Sequence, residues 1–244
     1  MALMLRQWCS AIFRYAAATL RSDTDPAAAL KGALHVPKTD SHQPLAQAEI
    51  PRFLKRLAAY GGHRTTVIAV HLLLLTFVRT IELRGGEWVE IDLDGGLWRI
   101  PKERMKMDED HIVPLSRQAA ALFAELKTLT GGQKWLFPNN HRPKTYIGVT
   151  TINRVLQRIG YAGEFSAHGF RATASTILNE MAFRPDVIER QLAHRERDKT
   201  RAAYNSAQYL EERRQMMQHW ADFLDSLAAD KVVPIKAAKK VQRA

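Results

Sequence analysis

The chain has 244 residues, with 36 Lys and Arg against 25 Asp and Glu, a formal net charge of +11 and 46% hydrophobic residues. This is a globular composition, which excludes disordered, collagen-like and coiled-coil chains, and the length allows one large domain, with or without an appendage, to bury a substantial core. The single cysteine, Cys9, excludes a disulfide-stapled scaffold and any cysteine-based zinc ligand set, and points to a reducing compartment.

Residues 1–50 hold five basic and four acidic side chains, so nearly all of the positive excess follows residue 50. A polyanionic partner is one reading of that excess, and a charge that only aids solubility is the other. No segment reaches the roughly 18 apolar residues needed to cross a bilayer. The best run, Val67 to Val78, is short, interrupted by His71, and reads as a buried helix. Met1 to Leu20 is acid-free, but Arg6 and Arg14 divide it and no small-residue cleavage site follows cleanly. A mitochondrial-type presequence is the competing reading there; the expectation is a soluble, cytoplasmic protein with no membrane partner.

In chain order, Leu5, Trp8, Cys9, Ile12, Phe13 and Ala16 recur at helical spacing over residues 4–21, and the turn residues from Ser22 to Pro26 end that helix. Residues 34–47 read as a linker with Pro37 and Pro44. Ala48–Tyr60 and Arg64–Val78 read as helices separated by Gly61 and Gly62. Glu87–Asp92 alternates apolar and acidic residues and pairs through a turn at Asp94, Gly95 and Gly96 with Leu97–Pro101. His111–Leu115 is a third short strand, joined to the second by Lys102–Asp110.

Ser116 caps a helix bearing Ala119, Leu122, Phe123, Leu126 and Leu129. Thr150 to Ala229 is helical in pattern, broken near Gly160–Ala167, at Phe183–Pro185 and at His194–Lys199. Leu210, Arg213, Met217, Trp220, Leu224 and Leu227 line a long final helix. The tail from Lys231 carries five basic residues and no acid, as a mobile arm would. The predicted fold class is α+β and mainly α: a helical domain with a small three-stranded antiparallel sheet.

Five polar positions sit oddly in this apolar framework. Arg79 ends an apolar helix three residues before Glu82, His168 and Arg171 share the first turn of another helix, His194 closes a third, and Tyr204 follows ten residues later. Singly, each has a plain alternative: a helix-end salt bridge, a helix cap, a satisfier of helix C-terminal carbonyls, or a core tyrosine.

Their order and spacing, with a lysine after the second strand, closely resemble the tyrosine recombinase (phage integrase) family. More narrowly, His168–Glu180 and Ala202–Gln218 resemble stretches of prophage and genomic-island integrases that insert at transfer-RNA genes. The resemblance covers roughly residues 64–220 and implies the catalytic-domain fold of that family. It implies Tyr204 as the nucleophile that forms a 3′-phosphotyrosyl link and releases a 5′-hydroxyl, and Arg79 and Arg171 as the clamp on the non-bridging oxygens. Lys106 matches the hairpin lysine that acts as general acid, and is preferred over Lys102. His168 matches the histidine that assists proton transfer at the nucleophile, and His194 the one that hydrogen-bonds the phosphate. Tyr209, His111 and His219 read as packing or ordinary residues, and Glu82 as the group that orients Arg79.

The chemistry supports these residue types independently. A phosphodiester under attack gathers negative charge on its equatorial oxygens, and planar, permanently charged guanidiniums meet it without a metal or other cofactor. A phenol with a pKa near 10 needs adjacent cations and a proton acceptor before it attacks, and an imidazole suits that acceptor role. Lys144, Arg154 and Arg158 could approach phosphates or form a solvated face.

The resemblance divides the chain into residues 1–45, matching the last part of a core-binding domain plus linker, 46–229, the catalytic domain, and 230–244, a basic tail. Only part of one DNA-gripping jaw is matched, so catalytic chemistry is expected to survive with weakened recombination. The implied partner is double-stranded DNA, with a monomer when free, a tetramer on DNA, and an accessory DNA-bending protein in some settings. The alternatives are a non-catalytic DNA-binding remnant, a type IB topoisomerase-like relaxing activity and, more weakly, an RNA-binding protein, although no aromatic RNA platform is visible.

Overall fold

A computed structural model of the chain describes residues 1–35, 43–105, 109–142, 144–194 and 209–229. It separates into two units, Met1–Ser41 and His42–Ala244. The first is built on helix α1 (Ala2–Ala18), whose end comes earlier than the expected residue 21 because Leu20 adopts a left-handed conformation at φ 57°. The Asp25 carboxylate accepts bonds from the Ser10 hydroxyl and the Ala27 backbone N–H. The predicted apolar face is real, and Leu5, Trp8 and Ile12 on it are exposed.

In the second unit, α2 (Ile50–Ala58) is preceded by a 3-10 turn at Gln47–Glu49, so the helix starts two residues later than expected. Pro51 supplies the fixed φ that suits a helix first turn. Helix α3 (Arg64–Thr76) buries an almost continuous run from Val67 to Thr76, which places it at the centre of the core. Phe77 ends α3 in a left-handed conformation, φ 42°, and its ring packs edge-on to Trp220 at 6.3 Å. A short helix, α4 (Thr80–Arg84), follows at once.

The sheet has strands β1 (Ile91–Asp92), β2 (Leu97–Ile100) and β3 (His111–Pro114), antiparallel in the order β1-β2-β3. Ile91 faces Trp98, and Ile100 faces His111. The expected strand over Glu87–Asp92 is mostly a 3-10 turn, Trp88–Glu90. The alternation is broken because Glu90 turns inward: its carboxylate accepts the indole N–H of Trp98 at 3.0 Å and is paired with the Arg104 guanidinium, one contact at 2.6 Å. Trp88 meanwhile turns its indole N–H to the Thr130 carbonyl at the end of α5 (Arg117–Thr130). Ser116 caps α5 as expected, accepting the Ala119 N–H.

The remaining elements are α6 (Thr151–Leu156) continuing into a π turn over Gln157–Tyr161, α7 (Gly169–Glu180), α8 (Pro185–Gln191) and α9 (Leu210–Ala228). One core joins them all, with Phe53 of α2 edge-on to Phe170 of α7 at 5.5 Å and Trp98 edge-on to Phe123 of α5 at 5.7 Å. Trp220 of α9 donates its indole N–H to the Leu74 carbonyl at 2.8 Å. Among the described residues, no helix is long and apolar enough to cross a membrane.

Candidate active site

Three of the six expected residues meet at the end of α8. That helix closes with the backbone pattern of a Schellman cap: the His194 N–H reaches the Glu189 carbonyl, the Ala193 N–H reaches the Arg190 carbonyl, and Ala193 is left-handed at φ 48°. The carbonyls of Leu192 and Ala193, which follow the last residue of α8, accept side chains instead. Arg171 donates to the Leu192 carbonyl at 2.6 Å, and Arg79 donates to that of Ala193 at 3.0 Å. His194 stands next to them, its Nε2 3.0 Å from the Arg171 guanidinium.

Arg171 is the more deeply held. It is buried, and its other terminal nitrogen donates to the Phe77 carbonyl at 2.7 Å, so the left-handed end of α3 also serves as an anchor. Burial, and then the nearby charge of Arg79, lower its pKa to about 10, which leaves it cationic at neutral pH. Arg79 does not end the apolar helix, as the sequence suggests; it is the N-cap of α4. The buried Glu82 carboxylate accepts both the Arg79 backbone N–H at 2.7 Å and its guanidinium at 2.6 Å, in keeping with the orienting role expected for Glu82.

A guanidinium has only donors, so His194 Nε2 accepts from Arg171 and the imidazole proton lies on Nδ1. There it donates to the Glu189 carboxylate at 2.7 Å. His168 is the N-cap of α7, exposed and one turn from Arg171. Between them, Gly169 leaves no room for a side chain: a Cβ would come within 2.5 Å of the Phe165 ring and 2.9 Å of the Gln43 carbonyl oxygen. Lys106 and Tyr204 lie outside the described residues. Beside the first, Arg104 is tied to Glu90 and Met105 is buried; after the second, the described chain resumes at Tyr209.

Tyr209 itself packs against the core and lies under the Arg184 guanidinium, 5.1 Å from its ring centre. His219 stacks edge-on to Phe183. His111 is buried at the start of β3, where desolvation, and then the charges of Arg213 and Arg190, lower its pKa to about 3. Of the three cations considered for phosphate contact, Arg158 donates to the Tyr60 hydroxyl at 3.3 Å, and Arg154 and Lys144 are exposed. Among the described residues no group of three or more His, Cys, Asp or Glu side chains is placed to hold a metal ion.

The sequence reading missed Gln191 and the role of Arg213. Both are fully buried and bonded to each other. The signal was available: Arg213 falls on the apolar stripe of the last helix, and Gln191 falls one helical turn after buried Val187 and Ile188.

Two guanidiniums moored to adjacent carbonyls make a cationic concentration whose mutual repulsion an anion would relieve. Solved structures identify the surrounding architecture. A lambda integrase dimer bound to a COC′ core site matches over 84% of this chain and 58% of that one, with a TM-score of 0.58 at 19% identity. The fold is that of the tyrosine recombinase catalytic domains.

Residues 43–211 match the phage integrase family, and the chain belongs to it. It is 45% identical over 237 residues to the integrase of Enterobacteria phage P4, covering 91% of this chain and 54% of that protein. It is 36% identical over 229 residues to the Escherichia coli K12 prophage integrase IntA, covering 94% and 55%. The chain thus spans about half the length of these relatives.

Proposed function

We propose that this chain carries the catalytic centre of a site-specific DNA recombinase, which cuts and rejoins double-stranded DNA through a 3′-phosphotyrosyl intermediate. The observation that supports it most is the convergence of Arg79, Arg171 and His194 on the three residues Leu192–His194. In this reading the two arginines hold the non-bridging oxygens of the scissile phosphate. Tyr204 attacks phosphorus, and the P–O5′ bond breaks. Lys106 gives a proton to the leaving 5′-oxygen, His168 assists removal of the phenolic proton, and His194 hydrogen-bonds the phosphate. Conserving the bond energy as phosphotyrosine lets a second strand's 5′-hydroxyl reverse the reaction without ATP.

The organisation proposed with it is a catalytic domain over residues 46–229, preceded over residues 1–45 by the end of a core-binding domain and followed by a basic tail at 230–244. A cytoplasmic location beside DNA, a monomer that assembles as a tetramer on the duplex, and an accessory DNA-bending protein belong to the same reading.

The test is incubation with a nicked suicide duplex in chelator, followed by a denaturing gel. A covalent protein–DNA adduct that disappears in Tyr204→Phe is the expected result. DNA binding without any adduct would instead identify a non-catalytic binder, and relaxation of a supercoiled plasmid lacking a recombination site would identify topoisomerase-like chemistry.

A further inference from the structure

Away from the arginine pair, buried polar side chains gather at one place. Gln191, the last residue of α8, donates its amide N–H to the Thr76 carbonyl at the end of α3 (3.2 Å). Its side-chain oxygen accepts two N–H groups from Arg213 of α9, at 2.9 and 2.7 Å. Its backbone carbonyl accepts Nε2–H of His111 on β3 at 3.1 Å. Arg213 reaches β3 as well, donating to the Ile112 carbonyl.

This arrangement is costly where an apolar side chain would be ordinary. Arg213 is buried on the same helix as Met216, Met217 and Trp220, and desolvation, followed by the charge of Arg190, lowers its pKa to about 9. Burying a guanidinium contributes little or nothing to stability compared with well-packed apolar residues, and its attested benefit is one fixed register.

The register in question adjoins the active site on both sides. Gln191 directly precedes Leu192–Ala193–His194, and Thr76 directly precedes Phe77, whose carbonyl is the second anchor of Arg171. One amide therefore spans the two backbone segments that hold the clamp. Its other partner, Arg213, belongs to the helix that follows the Tyr204 segment, nine residues beyond the tyrosine.

We propose that Gln191 and Arg213 form a positioning pair that registers α9, and with it the chain leading from Tyr204, against the carbonyl cradle of Arg79 and Arg171. The inference rests on the proposed function and adds to it two residues that touch neither phosphate nor nucleophile.

The test compares the unsubstituted 244-residue chain with Arg213→Met, which keeps the stem and loses the donors, and with Arg213→Lys, which keeps the charge and a donor. On the nicked suicide duplex, Arg213→Met should slow adduct formation about 10–100-fold while leaving noncovalent DNA affinity within about twofold. Arg213→Lys should recover part of the rate. Gln191→Leu should reproduce the Arg213→Met defect, and combining the two should add little to it, as expected of one unit.

A second arm separates placement of the nucleophile from collapse of the clamp. In a Tyr204→Phe background, hydrogen peroxide can serve as the nucleophile: it loses a proton to solvent, its oxygen bonds to phosphorus, the P–O5′ bond breaks, and the leaving 5′-oxygen takes a proton from the enzyme's acid. Peroxide cleavage should be unchanged by Arg213→Met. Peroxide cleavage that falls in step with tyrosine cleavage would overturn the inference, as would an undiminished adduct rate in both Arg213→Met and Gln191→Leu. If Arg213→Met does not fold, the decision passes to Arg213→Lys, which must show a slower adduct rate than wild type with normal peroxide cleavage. No adduct from the unsubstituted chain sinks the proposed function and this inference together.

Discussion

Arg171 and Arg79 donate to the carbonyl oxygens of consecutive residues, Leu192 at 2.6 Å and Ala193 at 3.0 Å. Two cations carried by different helices are thereby held side by side by a single turn of backbone. Neither could be held this way by an ammonium group. Arg171 also spans to the Phe77 carbonyl from its other terminal nitrogen, a reach that needs the planar fork of a guanidinium.

Arg171→Lys should therefore lower the rate of covalent adduct formation by about 100-fold or more, as loss of a main electrostatic contact in a dry site does. Arg79→Lys should lower it comparably but cost less stability, because Arg79 is half-buried while Arg171 is buried. Adduct kinetics and thermal melts on the same preparations check both parts.

The turn that supplies those carbonyls is itself strained. Ala193 sits at φ 48° in the position where a helix cap favours glycine. Ala193→Gly removes the Cβ clash and should stabilise the fold by about 0.5–1 kcal/mol, raising the melting temperature by about 1–4 °C. Ala193→Val should act in the opposite direction. Thermal unfolding of the three chains decides it.

The pairing of Glu90 with Arg104 anchors the stretch that leads to Lys106, two residues on. Glu90→Ala leaves the Arg104 guanidinium and the Trp98 indole N–H without their acceptor, which should cost about 3 kcal/mol. If Lys106 is the general acid, the same change should also slow cleavage in a way that a better leaving group relieves. A duplex with sulfur replacing the 5′-bridging oxygen should restore most of the lost rate, while an unrestored rate would separate Glu90 from the proton-transfer step.

Much of this was legible because it is periodic or local. The order of helices, the three strands and the cap at Ser116 follow from apolar spacing and turn residues, and the family resemblance followed from the spacing of the polar residues. What escaped was decided by long-range polar contacts, which leave no period. The strand expected at Glu87–Asp92 gave way to a 3-10 turn because Glu90 meets Trp98 and Arg104. Arg79 looks like a helix end in sequence because the left-handed turn at Phe77, which separates α3 from α4, carries no glycine to announce it. Arg213 falls on an apolar stripe in sequence, and only the fold shows that its partner is Gln191.

His111 ties this core to pH. Its folded-state pKa, about 3, lies below the ordinary histidine value of 6.5, and the cause is burial near Arg213, Arg190 and Arg171, with its Nε2–H bonded to the Gln191 carbonyl. The unfolded chain therefore binds a proton between pH 6.5 and 3 that the folded chain refuses, so stability rises with pH across that window and is lost on acidification. Half-buried His71, whose pKa is also lowered chiefly by burial, adds in the same direction. Between pH 6 and pH 5, above the range where carboxylates titrate, His111 alone should cost about 1 kcal/mol of unfolding free energy. Denaturant titrations at the two pH values should show this loss in the native chain and a smaller one in His111→Asn. An equal loss in both would mean that His111 is not the group being titrated.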